Sequence, residues 1–459
     1  TVAGQRSLRA VSFFRLCIFC ALLAFANIAI APKPLAQDKI SFIRDTEIEN
    51  TVRVYVAPLF EVAGLDPGAV SIMLVNDRNL NAFVAGGQRI FIHTGLLMKT
   101  DTPGQVIGVL AHEIGHIAGG HLSQKKRQLE NATAHSILGT VLGGVIAVAS
   151  KKPQGLIAGQ TAGATIAQRS FLAYSRAMEQ SADQAALNYL DATGQSARGL
   201  YDFLIYLRKQ EKIFSAGGNP YLRSHPMSND RLRLVAEHLR NSSFTDVPAS
   251  ELMKSMHDRI RGKLKGYINP PERTLREYSA DDANVGSRMA RAIALSKQQD
   301  TDAAIAIIDD LIARSPEDPF LYALKGDLLV DAGRTHDAVG PYEKTLSILP
   351  WAALVKFNLA RLQLENARKN PQIREARRNL IEALRYEPEM ASGWRSLAIA
   401  EGRLGNNGGA SLALAEEALL RGKMKSALTH AQRALERLAE GSPGWFRAQD
   451  IESAVGKED

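Results

Sequence analysis

Residues 112–116 read His-Glu-Ile-Gly-His and follow the apolar run 106–111. An apolar run of this kind predicts a helix in a domain core. On a helix, His112 and His116 lie one turn apart on the same face, so both imidazoles can reach one metal ion. Burying Glu113 between them would be costly without a cation. The pattern therefore predicts a metal site on a buried helix, and the alternative is a helix whose histidines only satisfy local hydrogen bonds.

A third ligand is expected downstream of this helix. The metzincin pattern is not met, because position 122 is Leu, and His121 comes too early to share the ligand face. Glu179 and Asp183 are spaced by four, which places both carboxylates on one face of a helix. Glu179 would complete a two-His, one-Glu site with one open position. Asp183 would orient a ligand histidine. A solvated acidic face is the alternative.

Several separated motifs together resemble a known family. His-Glu-Ile-Gly-His, the string Tyr-Ser-Arg-x-x-Glu-x-x-Ala-Asp at 174–183, and Ser-His-Pro at 224–226 followed by Arg231 are similar to the HtpX/CAAX-prenyl-protease clan of zinc metallopeptidases. The exported branch with C-terminal TPR repeats looks closest, and the likeness covers roughly residues 45–240. The resemblance implies a gluzincin-type helical domain with a small β-hairpin or sheet and one Zn²⁺ per chain.

The resemblance also assigns roles outside the metal ligands. It implies a hairpin near 81–92 whose edge strand binds substrate backbone, with Asn81 and Phe83 in substrate binding. It implies that His225 lies near the zinc, either as a catalytic donor to the oxyanion or as a latch on the open position. From the sequence alone, we would expect His225 to be a surface histidine that precedes a proline.

In this site Glu113 would act as general base. It would take a proton from the attacking water and later deliver it to the leaving amine.

The first 36 residues predict a Sec-type signal peptide. Three arginines without any acid precede the apolar run 16–31. Cleavage after Ala31 or Ala36 is weakened by nearby prolines, so an uncleaved anchor is the alternative. Both cysteines lie in this segment, so a mature chain would contain neither a disulfide nor a thiol nucleophile. We expect a periplasmic protein, with membrane association as an open alternative.

The formal charge of +8 does not indicate a nucleic-acid partner. Basic and acidic residues are interleaved through the C-terminal half, whereas nucleic-acid binding calls for a concentrated basic stripe with aromatics. We therefore expect no nucleic acid among the partners.

The C-terminal part carries an internal repeat. Alanine and proline recur twelve residues apart in three units, and the units are offset by 34 and 38 residues. The pairs are Ala304 and Pro316, Ala338 and Pro350, and Ala376 and Pro388. A 34-residue period is typical of TPR repeats, whose helix pairs form a solenoid with a concave binding face. The spacing is irregular over 391–443, and a plain helical bundle is the alternative.

These patterns predict a mainly α (α+β) chain. We expect a signal peptide at 1–36, a zinc metallopeptidase domain at 37–245, a helical linker at 246–284 and a TPR-like domain at 285–459. The stretch 136–168 contains two apolar arms with glycines four residues apart. It predicts a helical hairpin that is either a core element or a surface for peripheral membrane contact.

The predicted function is an exported zinc metalloendopeptidase. Its substrates would be polypeptides, in particular misfolded or stalled envelope proteins, and its TPR face would bind clients or the outer-membrane assembly machinery. The alternative is a TPR chaperone or assembly factor whose zinc site is latched or structural. A zinc hydrolase of non-peptide substrates would leave the repeats without a purpose.

Overall fold

The structure is a computed structural model that describes residues 41–124, 127, 175–213 and 220–455. The predicted signal peptide, both cysteines and the apolar hairpin at 136–168 lie outside the described residues. From Phe42 onward the chain belongs to one compact unit. Among the described helices, none combines the length and apolar character that crossing a bilayer requires.

The N-terminal domain combines a small sheet with a set of helices. The strands are β1 (Phe42–Ile43), β2 (Ser71–Val75), β3 (Ala82–Ala85) and β4 (Arg89–His93). The helices are α1 (Thr46–Val62), α2 (Thr94–Lys99), α3 (Pro103–Ala118), α4 (described over 175–192), α5 (Arg198–Ile213), α6 (Pro220–Ser224) and α7 (Asn229–Asn241).

The four strands form one sheet in the order β1-β2-β4-β3. The β3–β4 hairpin turns at Gly86 and Gly87, which both have positive φ. Ala82, Ile90 and Ile92 point from this hairpin into the core that the sheet shares with α1, α3 and α5. The predicted hairpin at 81–92 is therefore present, and β3 is an edge strand.

Two helices follow the N-terminal domain, α8 (Glu251–Ile268) and α9 (Pro271–Glu277). Ser250 caps α8, since its hydroxyl accepts a hydrogen bond from the backbone N–H of Met253. Ile260 and Leu264 of α8 belong to the core of the N-terminal domain. The segment expected as a helical linker is thus helical, and one of its helices packs as part of that domain.

The C-terminal helix array consists of consecutive helices. They are α10 (Val285–Lys297), α11 (Thr301–Arg314), α12 (Pro319–Asp331), α13 (Val339–Ile348), α14 (Ala353–Asn366), α15 (Asn370–Tyr386), α16 (Ala391–Arg403), α17 (Asn407–Leu420), α18 (Met424–Leu435) and α19 (Pro443–Val455). Each packs against the next in sequence, and several also touch the helix after that. This is the packing of a TPR-like solenoid.

The repeat markers occupy packing positions. Ala304, Ala338 and Ala376 are fully buried. A Cβ on Gly326 would lie 2.5 Å from the ring of Tyr342, so this helix pair needs glycine at its crossing. Helix pairs continue through 391–455, although the Ala and Pro spacing becomes irregular there.

Candidate metal centre

Helix α3 supplies the first part of the site. It begins with Pro103, and Thr102 and Gln105 form a reciprocal capping box at its start. His112 and Glu113 are fully buried, and His116 follows one turn later. The apolar run ahead of them anchors α3 in the core and fixes where these side chains point.

Helix α4 crosses α3 at the motif itself. A Cβ on Gly115 would lie 2.8 Å from the carbonyl oxygen of Ala182, so the two backbones touch at this point. The close approach brings Glu179 and Asp183 against His112. Glycine inside the motif is therefore a packing requirement.

Four side chains place one donor atom each around a common centre. They are His112, His116, Glu179 and His225, and their donor atoms all lie within 4.8 Å of one another. Nε2 of His112 lies 3.1 Å from Nε2 of His116 and 3.4 Å from Nδ1 of His225. The carboxylate of Glu179 lies 3.3 Å from His112, 3.4 Å from His116 and 3.3 Å from His225.

These separations match a tetrahedral metal site. Metal–ligand bonds of ~2.0–2.1 Å at tetrahedral angles separate the donor atoms by roughly 3.3 Å. Three imidazole nitrogens and one carboxylate oxygen are donors that suit zinc. The residues present therefore fit a metal ion of this kind.

A buried arginine side chain contacts the carboxylates of both Glu179 and Asp183. The guanidinium of Arg231, on α7, donates two hydrogen bonds to Asp183, at 2.6 and 2.8 Å, and its Nη1 lies 3.0 Å from Glu179. Asp183 in turn lies 2.8 Å from Nδ1 of His112. Asp183 thus occupies the position expected of a residue that orients a ligand histidine. The sequence motif includes Arg231, but residue spacing alone indicates no role for it.

Glu113 lies beside the ligand atoms without being one of them. Its carboxylate is 3.4 Å from Nε2 of His225, and neither oxygen has a hydrogen-bond partner among the described residues. Burial raises the pKa of Glu113, because the neighbouring histidines compensate for the lost solvation only in part. The site therefore holds a buried carboxyl group available to a bound water or substrate.

His225 belongs to the cluster and is not a surface residue. It follows α6, its backbone N–H donates to the carbonyl of Tyr221, and its ring stacks on that of Tyr221 with centroids 4.6 Å apart. Nδ1 faces the metal-ligand atoms while Nε2 faces Glu113. One imidazole thus contacts both the ligand set and the candidate base. No pattern in the sequence indicates the stacking of Tyr221 on His225.

For His112 and His116, burial lowers the pKa and neighbouring carboxylates raise it. Burial lowers the pKa of His112, but Asp183 and Glu179 together outweigh it and raise the pKa to about 9. For His116 burial prevails, and the pKa falls to about 3. Burial alone would raise the pKa of Glu179, yet the neighbouring histidines hold its pKa well below the usual range. A neutral His116 offers the free lone pair with which an imidazole binds a metal.

A cleft of about 760 Å³ opens onto the donor atoms. Its lining includes Glu113, His116, Glu179 and His225, and Phe83 and Val84 of β3 form one wall. Phe83, predicted to bind substrate, therefore lies in the cleft. The side chain of Asn81 is 6% exposed, and it is not part of the cleft lining.

The hydrogen-bonding pattern of the β3–β4 hairpin shows which backbone groups of β3 do not pair with β4. The backbone N–H of His93 donates to the carbonyl of Asn81, and this pair lies next to the pairing of Ala82 with Ile92. Hydrogen-bonded and non-hydrogen-bonded pairs alternate along an antiparallel ladder. The backbone groups of Ala82 and Val84 therefore point away from β4, toward the open edge.

Comparison with known proteins identifies a family match. The family model described as peptidase family M48 matches residues 44–239. The beta-barrel assembly-enhancing protease of Yersinia pestis is 24% identical over 80% of this chain and 75% of that protein. The metalloprotease LoiP of Escherichia coli (strain K12) is 26% identical over 37% of this chain and 61% of its own length.

Solved structures match part of this chain at low similarity. The crystal structure of MamA covers 36% of this chain and 96% of its own chain, with 15% sequence identity and a TM-score of 0.28.

Proposed function

Because residues 44–239 are a peptidase domain of family M48, this chain is a metalloprotease, and we propose that it is a zinc metalloendopeptidase of the bacterial envelope. Its substrates would be misfolded or stalled envelope polypeptides, above all outer-membrane proteins. The observation that carries the proposal is the set of four donor atoms at tetrahedral spacing beside a buried glutamate whose oxygens accept no hydrogen bond from the described residues.

His112, His116 and Glu179 would hold one Zn²⁺. When bound, zinc polarises the scissile carbonyl and lowers the pKa of a water molecule. Glu113 has its carboxylate beside the ligand atoms, where it can accept the water's proton and pass it to the leaving amine. Asp183, backed by Arg231, would keep the His112 ring oriented toward the metal.

His225 would act as a latch in the resting enzyme. Catalytic zinc sites keep one coordination position open, and Nδ1 of His225 lies where a fourth ligand would be. Substrate entry would then require His225 to move, after which its imidazole can donate to the oxyanion. The latch and the oxyanion donor are two positions of one side chain in this proposal.

The substrate would bind as an added strand on β3. Ala82 and Val84 offer backbone groups along the open edge, and Phe83 stands at the cleft. Asn81 would contribute by supporting the strand, since its carbonyl accepts a hydrogen bond from His93. The helix array would bind clients or the outer-membrane assembly machinery, a role that the name of the Yersinia pestis relative supports.

We also propose the cellular setting and the domain division. A signal peptide at 1–36 would direct the chain to the periplasm, with peripheral membrane contact through 136–168. The metallopeptidase domain would span 37–245, the linker 246–284 and the TPR-like domain 285–459. The change from one large core to successive small helix clusters after α8 supports the start of a separate domain at 285.

A second candidate is a chaperone or assembly factor with a permanently latched site. The contact of His225 with the ligand set favours this alternative, because a fourth protein ligand makes a structural zinc site. The two candidates differ in whether Glu113 is needed.

The deciding experiment combines zinc content with cleavage of casein by the full chain. Wild type, Glu113→Gln and His225→Ala are compared, with His336→Ala in the helix array as an exposed control. We expect equal zinc in wild type and Glu113→Gln, with cleavage at least ~100-fold slower in the variant, as for loss of a general base. A latch predicts faster cleavage by His225→Ala.

Other results would change the assignment. Slower cleavage by His225→Ala would make His225 a catalytic donor and not a latch. Zinc binding without cleavage by wild type or His225→Ala would favour the chaperone. Absence of zinc from wild type would overturn the metal site.

A further inference from the structure

His121 contacts the metal-ligand set from outside. Its Nδ1 lies 2.9 Å from Nδ1 of His116, and the two rings meet nearly edge to face at 78°. Nε2 of His116 faces the ligand centre, so the contact engages the other nitrogen of that ring. His121 is 5% exposed and lines the cleft, yet it is not among the four clustered donors.

The two glycines before His121 create the position for its ring. Helix α3 ends at Ala118 with Gly119 as its C-cap, and Gly120 turns the chain with φ +62°. A Cβ on Gly119 would lie 2.5 Å from Nε2 of His121. The imidazole therefore packs directly over the backbone of Gly119, in space that any larger residue would take.

We propose that His121 is the positioning residue of the metal ligand His116. This inference rests on the proposed zinc site. His116 donates its Nδ1–H to Nδ1 of His121, which fixes the His116 tautomer so that the Nε2 lone pair faces the metal. His121 then carries its proton on Nε2. Each helix histidine thus has its own partner: Asp183 for His112 and a neutral imidazole for His116.

The test measures zinc affinity by competition with a chromophoric chelator, with no need for catalysis. His121→Ala is expected to weaken zinc binding by ~10–100-fold, as for other residues that orient a ligand histidine. His121→Asn should recover most of the affinity, because its side-chain oxygen can accept from His116 Nδ1. A merely structural role would not distinguish these two variants. Ser123→Ala, which also lines the cleft, is the control.

Gly119→Ala disturbs the same contact while keeping every histidine, and it completes a double-mutant cycle with His121→Ala. The Gly119 backbone is helical, so alanine suits it, but the added Cβ displaces the His121 ring. Gly119→Ala alone should weaken zinc binding comparably, and it should add little to His121→Ala. Circular dichroism and thermal unfolding establish that each variant is folded.

The outcomes separate this inference from the proposed function. Wild-type zinc affinity in folded His121→Ala, or full additivity in the cycle, would overturn the positioning role and leave the zinc site standing. Equal loss in His121→Ala and His121→Asn would also overturn it. A wild type that binds no zinc would overturn both.

Discussion

At the level of single residues, buried charge holds the candidate site together. Arg231, Asp183 and Glu179 are all nearly inaccessible to solvent, and the one guanidinium pairs with both carboxylates. Two carboxylates against one guanidinium need a further positive charge in this desolvated place, and for this reason the pKa of His112 is raised to about 9. A divalent metal on the opposite side of Glu179 would supply that charge.

The variant Asp183→Asn tests whether the charge of Asp183 contributes to metal binding. The amide keeps the shape of the side chain but loses the charge that Arg231 and His112 both contact. We expect zinc affinity to fall by about tenfold, measured by chelator competition. Asp191→Asn is the control, since Asp191 is on the same helix but pairs with His238. Unchanged zinc affinity in Asp183→Asn would show that Asp183 does not support the ligand.

How much of the site the sequence could predict depended on the spacing of its residues. His112 with His116, and Glu179 with Asp183, lie four apart on helices, so local geometry alone grouped them. Tyr221 lies on α6, His225 follows that helix and Arg231 lies on α7. Their place beside α4 depends on tertiary packing that no local period shows. Residue spacing did exclude His121 as a ligand, but its contact with His116 depends on the turn at Gly120.

At the level of elements, glycine sets how closely α3 meets its neighbours. On the α5 side, a Cβ on Gly199 would lie 2.1 Å from the carbonyl carbon of Gly104. A Cβ on Gly104 would meet Gly199 only at 3.7 Å, an ordinary contact. The crossing is therefore asymmetric, and only one of the two glycines is required by packing.

This asymmetry gives a matched pair of variants. Gly199→Ala is expected to lower the free energy of unfolding by about 1–3 kcal/mol, because overpacking must push α5 away from α3. Gly104→Ala should stay within about 0.5 kcal/mol of wild type or gain slightly from helix propensity. Chemical denaturation of both variants measures the difference. Equal stability of the two would contradict the close crossing.

The edge of β3 allows a test of strand addition that spares the sheet. The N–H of Val84 points to the open edge, so Val84→Pro removes a donor for substrate without breaking the ladder to β4. Val84→Ala keeps the N–H and is the matched control. Loss of one hydrogen bond of about 1 kcal/mol predicts a roughly fivefold lower kcat/KM for Val84→Pro than for Val84→Ala on a peptide substrate. Equal kcat/KM would argue against pairing at Val84.

Sequence periodicity predicted the helices better than it predicted which other elements they pack against. The 34-residue spacing predicted the helix pairs of the array, because each pair has the same internal packing. A shift in composition predicted 246–284 as a linker, since its helices carry no sign of which core they join. In the structure α8 packs against α1, α2 and α3 on one side and against α10 of the array on the other. That double contact is a property of the assembled chain.

At the level of the whole molecule, charged side chains join the N-terminal domain to the helix array. Lys263 of α8 is 2% exposed, and its Nζ lies 2.8 Å from Asp45. Arg259 pairs with both Glu47 and Asp318, so one guanidinium connects α1 with the start of α12. A cavity of about 360 Å³ lies between α8 and the helices α12 and α14. Polar contacts of this kind make the junction sensitive to the protonation of its acids.

Among the acids of this junction, Asp327 on α12 has the most clearly shifted pKa. Burial raises its pKa to about 6, with Asp45 and Asp331 adding to the effect, while Lys263 and the hydroxyl of Tyr342 oppose it. Tyr342 donates a hydrogen bond to Asp327 at 2.7 Å. In the unfolded chain the same carboxyl titrates near ~3.9. The folded protein therefore binds the proton more tightly than the unfolded chain does.

The sign of the linkage follows from that difference. Between roughly pH 4 and pH 6 the unfolded chain has released this proton and the folded protein still holds it, so the free energy of unfolding falls as pH rises. Because Asp327 is only partly buried, we expect a contribution of about 1–2 kcal/mol, lost by about pH 7. Asp327→Asn should remove this slope and be the more stable protein at pH 7, whereas the exposed Asp302→Asn should follow wild type. Denaturant titrations at pH 4.5 and pH 7 measure both, and parallel pH profiles for wild type and Asp327→Asn would show that Asp327 keeps its ordinary pKa in the junction.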